Sequence, residues 1–166
     1  MIPLFIGLTL ANLLFLLTSA ALGYMALDRP ASGEWHRLAG ALSALACCGV
    51  HCVVFTYFMA TGKWVQHAVD IKRLDPALVG PTRSFKAQAF PAALGAILAV
   101  VVVAMLGAAT DVYRISRTIH HVAALVMILA NLAAAFVEYH AIRRNGLLIA
   151  KVLSDVAATN ATNPPR

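Results

Sequence analysis

His36, His51, His120 and His121 stand in or beside long apolar runs, together with Asn12, Asn131 and Glu138. Polar groups in such surroundings are costly, so they mark hydrogen-bonded contacts, proton-carrying groups or ligand sites. Their spacing decides which of them share a surface. His120, Asn131 and Glu138 are 11 and 18 residues apart, and these intervals return to within about 20° on an ideal helix. Met127 falls on the same line. Gly40, Ala44, Cys47, His51, Phe58 and Gly62 share one face of a second run, and Phe5, Asn12, Ser19 and Gly23 share one face of a third. Asn12, His51 and Asn131 each lie near the centre of their run. Joined in alternating directions, the three fall at one level. A histidine and two asparagines at one depth can fix helix register, at about 0.6–2 kcal/mol per bond. The same trio can serve a haem, a quinone or a proton path.

Two further groups have chemistry available. His36 opens one run and His120 and His121 open another, with Glu34 and Asp111 near in sequence. Facing histidines from two helices are what a six-coordinate haem b requires. With a carboxylate added, the set suits Zn²⁺ or Cu²⁺. Adjacent histidines point about 100° apart, so only one of His120 and His121 is expected to face His36. As interfacial polar groups these histidines need no ligand at all. The other group is Glu138, Tyr139 and His140 with Arg143 and Arg144, opposite Lys63, Trp64 and His67. An ion pair of Glu138 with one of these cations is the simplest expectation, and a quinone-head site the more specific one.

These residues need elements to position them, and composition says what the elements are. Of 166 residues, 61% are hydrophobic and 12% charged. A soluble domain is roughly half apolar and a quarter charged, and a chain this short cannot hide the excess in one core. The reading is an all-α integral membrane protein, a four-transmembrane-helix bundle running up-down-up-down. Spans are expected at about 2–27, 35–61, 87–109 and 116–142, in a single domain over 1–158. A flexible polar tail is expected over 159–166. Residues 28–33 break the chain around Pro30, and 65–86 forms the longest connection, outside the hydrocarbon. The first run is read as a span because no basic residue precedes its apolar stretch.

Lys and Arg set the direction. The connection after the second span and the tail hold nine: Lys63, Lys72, Arg73, Arg83, Lys86, Arg143, Arg144, Lys151 and Arg166. The other two connections hold four: Arg29, Arg37, Arg114 and Arg117. Positive residues stay inside, so both termini are expected in the cytoplasm, in a bacterial inner membrane. The formal charge of +6 lies in flanks of apolar runs, which points to lipid head groups and excludes nucleic acid as a partner. Cys47, Cys48 and Cys52 share one apolar run and read as buried packing thiols. No phosphate loop, nucleophile elbow, haem-attachment motif or zinc-protease motif is present.

Four spans with histidines on the second and fourth resemble, in layout alone, the small cytochrome b-type membrane anchors of respiratory enzymes. That likeness implies a non-catalytic integral subunit of a larger complex, concerned with electron transfer and holding haem b or quinone, with other membrane subunits as partners. His36, His120, His121 and His51 are the expected cofactor ligands, and Asn12, His51, Asn131 and Glu138 form the expected intramembrane polar cluster. Two other classes fit the same residues. One is a proton- or small-solute-conducting protein using the stripe on the fourth span. The other is a small metal-dependent membrane enzyme built on His36 and His120 or His121.

Overall fold

The structure is a computed structural model and describes residues 1–27, 32–113 and 116–162. The break expected at 28–31, the turn at 114–115, the side chain of Asp111 and residues 163–166 lie outside the described residues. The described chain is almost wholly helical: α1 (Ile2–Met25), α2 (Ser32–Lys72), a single 3₁₀ turn (Pro76–Val79), α3 (Gly80–Tyr113) and α4 (Arg117–Thr162). All four α-helices are long and apolar enough to cross a membrane.

Three helices outrun their apolar spans. α2 has 41 residues and α4 has 46, about 60 and 70 Å at 1.5 Å per residue. A bilayer core is about 30 Å thick. The segment expected as a long connection is therefore mostly helix, and residues 159–162 of the expected flexible tail are helical too. The reason lies in the inward face. Val65, Val69, Leu148 and Val152 are buried at helical spacing behind exposed Lys63, Arg143, Arg144 and Lys151. Basic residues mark where a membrane ends, not where a helix ends.

What stops α2 is local. Arg73 takes φ 51°, and the Leu74 amide donates to the carbonyl of Val69 at 3.1 Å. This is a Schellman closure with arginine where glycine is usual. Asp75 then accepts a hydrogen bond from the Ala77 amide at 2.9 Å, with Pro76 as the first residue of the 3₁₀ turn. α3 departs at once, so Pro91 lies well inside that helix.

α1 packs on α2 and α3 on α4, α2 also lies against α3, and α2 meets α4 more narrowly. The last contact has a fixed register. Cys47 meets Asn131, Thr61 meets Asn145 and His36 meets His120, each pair separated by 84 residues. Two apolar clusters fill the interior. One holds Phe5, Val54, Phe58, Ile142 and Val152, and the other Leu16, Cys47, Val100, Val103 and Met127.

Candidate functional site

Glu138 is fully buried, at 0% exposure, and His51 is 2% exposed. His51 Nδ1 lies 2.7 Å from Glu138 Oε1. A proton sits on this line in either charge state, donated by the imidazole to a carboxylate or by a carboxylic acid to the imidazole. His51 Nε2 and Glu138 Oε2 are also buried and have no hydrogen-bond partner among the described residues. The pair is thus joined through one atom of each group.

One turn toward the start of α2, Cys47 donates its thiol to Asn131 Oδ1 at 3.2 Å. Asn12 Nδ2 approaches the same oxygen from α1 at 3.5 Å. Asn131 Nδ2 bonds the Met127 carbonyl at 3.1 Å. Asn12, Asn131 and Cys47 are all buried, and Asn12 Oδ1 has no partner among the described residues. Beyond the pair, buried Asn145 donates to Thr61 Oγ1 at 3.0 Å. Asn131, Glu138 and Asn145 recur every seven residues along α4, which keeps them on nearly one face.

At the other end, His36 Nδ1–H donates to the Ser19 carbonyl at 2.8 Å. The His36 and His120 ring centroids are 6.0 Å apart and nearly perpendicular. His121 turns to Tyr24, at 4.9 Å. The rings of His36, His120 and His121 line a cavity of about 30 Å³, room for a water molecule. A porphyrin between these rings would need α2 and α4 to part, against the Cys47–Asn131 contact deeper in the same interface.

The structure brings Asn12 and Asn131 together, as their common level predicts, but His51 joins neither. It pairs with Glu138, which does not form the expected ion pair with a basic end. Arg143 and Arg144 are exposed, while Glu138 is enclosed. His120 faces His36 and His121 does not, as their 100° offset requires. Glu138 and His140 separate, the latter packing on Phe136 at 4.4 Å. Of the three cysteines only Cys47 is buried, and Cys52 is exposed. Asn145 was not among the expected site residues, although its position seven residues after Glu138 was the available signal. No protein-family model, curated protein or solved structure matches the chain.

Proposed function

We propose that this chain is an integral protein of a bacterial inner membrane, an up-down-up-down bundle with both termini cytoplasmic, that moves protons through His51 and Glu138. The observation carrying this reading is the enclosed carboxylate–imidazole pair, in which His51 Nε2 and Glu138 Oε2 have no hydrogen-bond partner among the described residues. A contact selected only to hold helices together gains nothing from such atoms, since each costs about 1–3 kcal/mol when buried without a partner. A site that loads and releases a proton uses them. An ionisable residue inside a membrane is by default a functional group, and proton relays are built from Asp, Glu and His.

Polar groups continue on either side of the pair. Asn131, Cys47, Ser43, His120 and His36 lead one way, and Thr61 and Asn145 the other. Apolar side chains interrupt the line at Met127 and Leu16 and again at Val54, Phe58 and Ile142. Transfer across the full thickness therefore requires these to move, and the described conformation is a closed one.

The test is proton flux into vesicles holding the purified chain, driven by a potassium diffusion potential and read with an enclosed pH dye. Wild type is expected to exceed empty vesicles, and Glu138→Gln to lose at least tenfold at equal protein and equal helix content. Flux indistinguishable from empty vesicles, or unchanged in Glu138→Gln, overturns the reading. An accessory subunit of an electron-transfer complex, the class that the layout suggests, gives the opposite signature: no flux, with a Soret band or a co-purifying partner.

A further inference from the structure

The 84-residue register between α2 and α4 extends to the other pair of helices. Gly23 on α1 and Gly107 on α3 are also 84 apart. A Cβ on Gly23 would come within 2.9 Å of His36 Cε1, and one on Gly107 within 3.0 Å of His120 Cε1. A side chain at either glycine would therefore push the facing ring from its place. The Ser19 carbonyl accepts from His36 Nδ1, whereas His120 Nδ1 is buried with no hydrogen-bond partner among the described residues. The two hairpins, α1 with α2 and α3 with α4, therefore present one histidine each beside a glycine.

We propose that His36 and His120 bind one divalent transition-metal ion of the Zn²⁺ or Cu²⁺ class between these two hairpins. Three observations carry this. The first is distance. A metal–nitrogen bond of about 2.0–2.1 Å sets an imidazole centroid about 3.2 Å from the ion, so two ligating rings stand about 5.2 Å apart at a tetrahedral angle and about 6.4 Å apart when opposed. The 6.0 Å between His36 and His120 lies within that window. The second is the outer shell. Ligating histidines donate their other ring N–H to a carbonyl or carboxylate, which fixes the tautomer and orients the ring. The His36 Nδ1–H···O=C Ser19 bond does this and leaves Nε2 with its lone pair. The third is space. His36 and His120 both line a cavity of about 30 Å³, and His120 Nδ1 is buried with no hydrogen-bond partner among the described residues.

Among the described residues no three His, Cys, Asp or Glu side chains converge into a closed cage. The site is accordingly an open one, in which water would complete the coordination of two imidazoles. Glu34 takes no part, being exposed and paired with Arg37 at 2.7 Å.

The experiment uses the purified full chain in detergent, stripped by a chelator and then titrated with Co²⁺ by its visible absorption and with Zn²⁺ by equilibrium dialysis and elemental analysis. One ion per chain is expected. His36→Ala and His120→Ala should each weaken binding at least tenfold, while His67→Ala leaves it unchanged. Gly23→Ala retains every ligand but displaces the His36 ring, so it should weaken binding in a chain that still folds. Glu138→Gln should bind as wild type, which separates this proposal from the proton-moving one. Substoichiometric binding, below about 0.2 ion per chain, overturns it. So does binding that survives both histidine replacements, or a Soret band in the pure protein that His36→Ala removes.

Discussion

Removing one partner of the His51–Glu138 pair should cost far more than removing both. His51→Leu leaves the Glu138 carboxyl enclosed, at 0% exposure, with no group to share its proton. Breaking a buried pair from one side costs about 3–5 kcal/mol. Glu138→Leu leaves an imidazole, which can remain neutral, and an unpaired buried ring nitrogen costs about 1–3 kcal/mol. The double replacement leaves neither group, and substituting apolar residues for a whole buried pair is neutral or stabilising by about 1–4 kcal/mol. The two single losses thus sum to about 4–8 kcal/mol, against a double variant near or above wild-type stability. The coupling is about 4 kcal/mol or more, well beyond the roughly 0.6 kcal/mol average of interhelical hydrogen bonds in membrane proteins. Reversible unfolding in mixed micelles, followed by far-UV circular dichroism, measures all four corners of the cycle. Single losses under about 1 kcal/mol that add in the double variant would refute the reasoning, because they describe an ordinary polar contact.

Arg73→Gly should stabilise the chain by about 0.5–1 kcal/mol, because glycine adopts the positive φ of this position without the Cβ penalty; the same unfolding assay reads it, and a loss of stability would mean the arginine side chain matters more than its backbone. Asn145→Ala should cost about 1 kcal/mol through the lost bond to Thr61, read by the same unfolding assay. For orientation, a cysteine at exposed Ser116 in a cysteine-free background should react with a membrane-impermeant maleimide added outside cells, and one at exposed Ser154 only after permeabilisation. The reverse pattern would invert the topology.

Helical periodicity made the interior faces legible from sequence. Phe5, Asn12 and Ser19 are buried together on α1, as are Met127, Asn131 and Glu138 on α4. Partnership was less legible, because it depends on depth. Treating Arg143 and Arg144 as the end of a span placed Glu138 at a surface among cations. Those arginines are exposed on a helix that continues for another 18 residues, and the carboxylate lies within reach of His51. The matching placement of His36 and His120 was legible only as a spacing: Gly23 precedes His36, and Gly107 precedes His120, by thirteen residues each. The end of α2 was illegible because the usual glycine is replaced by Arg73.

α2 and α4 are each one unbroken rod, and they touch at points spread along most of the bundle: His36 with His120, Cys47 with Asn131, His51 with Glu138 and Thr61 with Asn145. From His120 to Asn145 is about 37 Å of continuous helix at 1.5 Å per residue. Stiff bodies pinned at four places cannot shift at one alone. A slide of α4 by one turn, about 5.4 Å, would break all four contacts in a single stroke and offer each side chain a new neighbour. The same α4 also carries the wider contact with α3, so any such slide would have to carry α3 along or break that face as well.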